Sequence, residues 1–171
     1  MVGSRTGLAV RTEGASWRTE YLNDPDAPKP NSIVVATTAF VQDDNGRVLL
    51  IRRSDSGKWA LPGGGQEFGE TVAESAVRET REEAGLDVEV TGLVGIYSNP
   101  GHVIAYSDGE VRQQFSICLR ARPTGGELQP SSESTDVRWF ARDQLDDLPI
   151  HPEMRLRIDH GYARNPQPYL G

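Results

Sequence analysis

Apolar positions along the chain change their period several times, and each change marks an element. From Ser32 to Val41 the residues are β-branched or apolar, Asp43-Asp44-Asn45-Gly46 interrupts, and Val48-Leu49-Leu50-Ile51 resumes. Two apolar runs flanking Asn-Gly predict a β-hairpin. Trp59-Ala60-Leu61-Pro62 then leads into Gly63-Gly64-Gly65, which predicts a short strand giving way to a loop where backbone can approach a neighbour closely. Beyond it the period becomes helical. Ala73, Ala76, Val77, Thr80 and Ala84 recur at helical spacing, Thr71 with Glu74 fits a capping box, and Gly85 supplies a stop, so a helix is expected over about 71–84. Leu86, Val88 and Val90 alternate with polar partners. After turns at Asn99-Pro100-Gly101 and Ser107-Asp108-Gly109, a long strand is expected with Val111, Phe115, Ile117 and Leu119 on one face. Val137-Arg138-Trp139-Phe140 reads as the last strand, and Met154, Ile158 and Tyr162 behind Pro152 predict a C-terminal helix.

This pattern divides the 171 residues into an arm over 1–30, a single domain over 31–164 and a short tail over 165–171. The arm is rich in Gly, Asp, Pro and Ser, with Trp17 and Tyr21 as its sizeable apolar anchors, expected to pack on their own domain. No apolar run approaches the ~20 residues of a membrane span, and the N-terminus carries no apolar signal-peptide core, so a cytoplasmic location is expected. Cys118 is the only cysteine, which excludes an intramolecular disulfide and predicts a small buried hydrophobe. Lys plus Arg number 18 against 25 Asp plus Glu, a formal charge of −7. That balance argues against a binder of duplex nucleic acid, which needs many phosphate contacts, and leaves a small nucleotide as a partner.

The acidity is concentrated where the helix is expected. On ~100° per residue, Glu79, Glu82 and Glu83 share an arc of about 100° beside the apolar stripe. Three such carboxylates stay ionised cheaply only with a positive charge among them, and hard, oxygen-seeking Mg²⁺ or Mn²⁺ suits that place. The competing reading is a solvated acidic face paired with Arg78 and Arg81, since Arg78 precedes Glu82 by four residues. Backbone groups at Gly63, Gly64 and Gly65 could serve the same metal or a phosphate.

Gly64, five residues, Glu70, seven residues, then Arg78-Glu79-Thr80-Arg81-Glu82-Glu83-Ala84-Gly85-Leu86 resembles the Nudix box, with Thr80 at a position normally aliphatic as its one departure. Trp59-Ala60-Leu61-Pro62-Gly63-Gly64 and the segment 133–140 resemble the family's flanking strands, so the resemblance covers about 33–148. It implies an α/β fold, an α/β/α sandwich around a mixed sheet, and hydrolysis of a nucleoside diphosphate linked to another moiety. Glu79, Glu82 and Glu83 then match metal-binding glutamates. Gly64 matches a residue whose carbonyl often joins them, Arg78 an arginine that orients them, and Glu70 a structural tie from loop to helix. Pro100, 15 residues past Gly85, stands near a proline of ADP-ribose-cleaving members.

Several further residues are candidates. Arg52 and Arg53 are neighbours on a strand, so only one can face substrate phosphate. His102 is expected as a solvated loop residue, and His151 and His160 as peripheral. Two carboxylates could accept the proton of the attacking water. Glu82 lies on the metal-bearing helix, and Glu133 lies in a Ser131-Ser132-Glu133-Ser134 loop expected to close over bound substrate. The leading expectation is a Mg²⁺-dependent pyrophosphohydrolase, homodimeric through the arm. The alternative from another class is a catalytically silent Nudix-like module that senses a nucleotide, and an isoprenoid diphosphate isomerase is a third reading.

Overall fold

The computed structural model of the protein describes residues 8–11 and 17–171, with side chains from Arg18 onward. The strands are β1 (Leu8–Arg11), β2 (Trp17–Leu22), β3 (Ser32–Val41), β4 (Val48–Arg53), β5 (Trp59–Ala60), β6 (Gly63–Gly65), β7 (Leu86–Tyr97), β8 (His102–Tyr106), β9 (Val111–Gly126), β10 (Ser134–Phe140) and β11 (Tyr169–Leu170). The helices are α1 (Val72–Ala84) and α2 (Pro152–Ala163), with a 3₁₀ segment at Arg142–Asp147. The larger sheet is built on β9, which pairs in parallel with β3 along one edge. Its other edge is shared by β8 and β7, both antiparallel, and β8 passes the pairing on to β2 and β1. A second sheet has the order β10-β4-β5. The mixed pairing and the helices on either side make an α/β/α sandwich.

The expected hairpin forms only at its turn. Gly46 adopts φ 76°, the Asp43 N–H donates to the Arg47 carbonyl, and Gln42 bridges Val48. Beyond that bridge β3 and β4 part into different sheets. Their composition explains the divergence, because Ala39, Phe40, Val41 and the four residues from Val48 to Ile51 are all buried and neither face is polar enough for water. Ala39, Val41, Leu49 and Ile51 pack with Ala76 and Ala84 of α1, while Phe40, Val48 and Leu50 pack with Ile158 of α2. Each strand is therefore covered twice, once by each helical layer.

One other expectation is corrected, and two segments the sequence left unassigned take places in the sheet. Gly63–Gly65 is strand β6, antiparallel to β3 with Gly64 opposite Thr37, so the glycines replace a loop by a strand lying tight on its neighbour. Within the arm, β2 adds to the sheet beside β8; residues 1–7 and 12–16 and the side chain of Trp17 lie outside the described residues. Within the tail, β11 runs parallel to Gly95 and Ile96 of β7. Cys118 is fully buried, as expected.

Helix α1 starts and stops where its caps demand. Thr71 accepts from the Glu74 N–H and Glu74 returns the bond to the Thr71 N–H, while Gly85 takes φ 75° at the C-terminus. Thr80 sits fully buried on the apolar stripe, and its hydroxyl donates to the Ala76 carbonyl at 2.7 Å, which is how a polar residue is tolerated in an aliphatic position.

Candidate active site

Arg78 organises the exposed side of α1. Its Nε donates to Glu70 Oε2 at 2.9 Å and its Nη2 to Glu70 Oε1 at 2.7 Å, a two-pronged pair. The same Nη2 donates to the Gly65 carbonyl at 3.1 Å, and Nη1 reaches Glu79 Oε1 at 2.9 Å and Glu82 Oε2 at 3.2 Å. One planar guanidinium thus ties the loop before the helix, the glycine strand and two helix carboxylates into one geometry. Those hydrogen bonds hold the Glu70 carboxyl down at about 2. Arg78 pairs within the box, whereas Arg81 turns away to Asp87 at 3.3 Å.

Glu83 behaves differently from the exposed Glu82. It is 3% exposed, and its Oε2 accepts the Gly63 N–H at 2.9 Å. Burial pushes its carboxyl up to about 8; Gly63 and Arg53 oppose this, while Glu79 and Glu133 reinforce it. Burial likewise raises Glu79, against the pull of Arg78 and with the added repulsion of Glu82 and Glu133. A Cβ on Gly64 would lie 2.5 Å from Glu79 Oε1, so this carboxylate rests directly on the glycine strand. Two crowded carboxylates whose charged forms are disfavoured, with a third beside them, are a donor set that fits a hard divalent cation. Glu133 is brought close enough to repel both. Its main chain is pinned, contrary to the expected mobile loop: its carbonyl accepts from the Ser54 N–H, its N–H donates to Ser131 Oγ, and Ser134 Oγ donates to the Glu83 carbonyl at 2.7 Å. Only the exposed Glu133 side chain is left unfastened.

A cleft of about 630 Å³ opens between β2, β8, the β4–β5 turn and α2. Arg53 lines it and Arg52 does not; Arg52 is exposed with its Nε on the Gly57 carbonyl. Arg53 is paired twice with Asp55, at 2.9 and 2.7 Å, and lies near enough to Glu83 for the two charges to favour each other.

The cleft wall corrects the reading of two histidines. His102 is 5% exposed, with Nε2 2.6 Å from Glu20 Oε1, and the His151 ring stacks on it at 5.1 Å with its own Nε2 3.3 Å from the same oxygen. These ligand atoms lie within 4.8 Å of one another, as a metal site would require. The hydrogen bonds argue otherwise. His151 Nδ1 accepts the Glu153 N–H at the start of α2, which leaves the ring proton on Nε2 to face Glu20, where a metal would need a lone pair. The group is a carboxylate receiving two imidazole donors. Burial opposes the charge on Glu20, but the His102 bond and the His151, His102 and Arg18 charges prevail and bring its carboxyl down to about 2. Local periodicity could not reveal this group, because Glu20 and His102 stand 82 residues apart.

The fold and site together define a class: a sandwich in which a glycine strand and a capped helix present glutamates arranged by a single arginine. The NUDIX domain model matches residues 33–160, and the chain belongs to the Nudix family. It is 37% identical over 126 residues to a MutT-like protein of Streptomyces ambofaciens, across 73% of this chain and 75% of that one. It is also 37% identical over 134 residues to an ADP-ribose pyrophosphatase of Methanocaldococcus jannaschii, across 74% and 68%. Among solved structures, a Nudix hydrolase from Nitrosomonas europaea aligns with a TM-score of 0.66 at 27% identity, covering 99% of this chain and 96% of that one. An ADP-ribose pyrophosphatase from Streptococcus suis aligns at 0.63 and 26%, covering 81% and 98%. The chain is a hydrolase acting on phosphoanhydride bonds. Among the described residues no helix is long and apolar enough to cross a membrane.

Proposed function

We propose that the protein is a Mg²⁺- or Mn²⁺-dependent pyrophosphohydrolase that cuts a nucleoside diphosphate linked to another moiety, of the ADP-ribose kind. The observation that carries the reading is the buried Glu83, raised to about 8 beside a raised Glu79, on a helix whose arginine holds Glu79 and Glu82 in register. Glu79, Glu82 and Glu83, with the Gly64 carbonyl, would hold the metal, which when bound supplies neutralisation of the crowded phosphate oxygens. Arg78 keeps the carboxylates aimed, and Arg53 faces the substrate from the cleft. Glu82 holds the attacking water, and Glu133 completes proton acceptance when substrate is present. Two named relatives that act on ADP-ribose support the substrate class.

The test is a panel of ADP-ribose, nucleotide sugars, dinucleoside polyphosphates and nucleoside triphosphates, with product release measured in Mg²⁺, in Mn²⁺ and in excess chelator. A nucleoside diphosphate linked to another moiety is expected to be cut faster than a nucleoside triphosphate, and only with metal. Glu83→Gln is expected to cost ~10²–10⁴-fold in turnover with the melting temperature preserved. Undiminished hydrolysis in chelator overturns the metal assignment.

A further inference from the structure

The cleft holds a cation that the chemistry on α1 does not use. Arg157 of α2 is 4% exposed, and its Nε and Nη2 are buried without a hydrogen-bond partner. Its guanidinium lies over the Tyr97 ring at 5.2 Å. That stacking uses the face of the guanidinium, whereas its N–H donors point outward in its plane and need acceptors there. The carboxylates at hand are engaged elsewhere. Glu153, one helical turn before Arg157, accepts from Asn99 Nδ2 at 3.1 Å, and Glu20 serves His102 and His151. Burial accordingly pushes the guanidinium down from its ordinary value.

Two further observations point to the same wall. Ser116 Oγ is also buried without a partner, and Ser116 stands opposite Tyr97 across β7 and β9, on the side of the sheet that Arg157 covers. Lys58, at the cleft rim, has no ion-pair partner among the described residues. Buried charges in folded proteins are normally paired, and a guanidinium with free in-plane donors on a cleft wall matches an oxyanion. The scissile diphosphate is a poor candidate for that anion, since Gly64, Glu79, Glu82 and Glu83 do not line this cleft. Arg53 joins the two places, lining the cleft and feeling the charge of Glu83.

We propose that the inner end of the cleft is a subsite for a second anionic group, a phosphomonoester or carboxylate on the moiety joined to the nucleoside diphosphate, and that Arg157 selects for it. The assignment of the rest of the ligand rests on the pyrophosphohydrolase reading; the subsite itself does not. Calorimetric titrations in excess chelator, with ribose 5-phosphate, glucuronate and uncharged ribose as probes, test it without turnover. The intact protein is expected to bind at least one anionic sugar saturably and ribose at least tenfold more weakly. Arg157→Met is expected to lose that preference while melting at the same temperature or higher, because it removes an unpaired buried charge. Arg157→Lys, which keeps the charge but not the fork, should retain part of it and guards against a Met variant that fails to fold. Equal affinity for ribose and its phosphate, no binding of either anionic sugar, or a preference unchanged in Arg157→Met overturns the subsite. Charge-dependent binding in a protein that hydrolyses no nucleotide would instead sink the pyrophosphohydrolase reading and leave the subsite standing.

Discussion

Arg78 makes five hydrogen bonds at ordinary distances, to Glu70, Gly65, Glu79 and Glu82. A lysine carries the same charge but presents a point rather than a fork, so it cannot span the loop, the glycine strand and both helix carboxylates. Arg78→Lys is expected to lower kcat by ~10–100-fold, the usual cost of losing a group that orients metal ligands, and steady-state kinetics at saturating Mg²⁺ read it. Glu82 and Glu133 separate by the same measurements. Glu133 touches the site through its charge, so Glu133→Gln should lower kcat by about tenfold or more with little change in Mg²⁺ dependence. Glu82→Gln should weaken both. A Glu133→Gln enzyme of unchanged kcat returns proton acceptance to the helix.

At the scale of elements, the junctions matter more than the elements they join. Gly85 ends α1 at φ 75°, where a Cβ would also run into the Glu127 carbonyl. Gly85→Ala is expected to cost at least ~1–2 kcal/mol in urea unfolding, since the left-handed conformation alone costs an L-residue about that much. The β2–β8–α2 junction should weaken in acid in two windows. His151 lies below its ordinary 6.5, chiefly through burial, so its neutral form favours the fold above pH 6.5 and that contribution declines as the pH falls below it. Glu20 lies at about 2 against an ordinary 4.5, so its contribution is complete above pH 4.5 and disappears as the pH falls to 2. Unfolding midpoints of Glu20→Gln and the intact protein should therefore converge between pH 4.5 and 2; a constant gap would show that Glu20 is not held by this group.

For the molecule as a whole, two helical layers on opposite sides of a continuous strand pair make the fold one cooperative unit. Ile158 is fully buried among Phe40, Leu50 and Tyr97, so Ile158→Ala should remove ~2–5 kcal/mol from global stability and also loosen the α2 wall of the cleft. Chemical denaturation followed by fluorescence and by probe binding should then show one transition. The arm belongs to the same unit, since β2 supplies Glu20 to the cleft. A homodimer built with its help is best tested on the intact chain, because starting at Asn31 would remove a strand of the sheet as well. A dimer mass in sedimentation is expected, and a monomer mass at every concentration removes the idea.

What the residues alone determined is local in the chain. Helix α1, its capping box, its Gly85 stop and the carboxylate arc were legible because each depends on neighbours one to four positions away, and the Gly64-to-Leu86 spacing carries them in one contiguous stretch. The apolar runs of β3 and β4 announced strands but not their partners. With Thr37–Val41 and Val48–Ile51 buried on both faces there is no polar face to set a sheet side, and only the two helical layers decided that the strands would part. The choice of Arg53 over Arg52 and the meeting of Glu20 with His102 and His151 were likewise tertiary decisions, as was the isolation of Arg157 from Glu153. Side chains far apart in the chain come within about 3 Å only after the layers have packed, and a period of two or of 3.6 says which way a residue points but not what waits there.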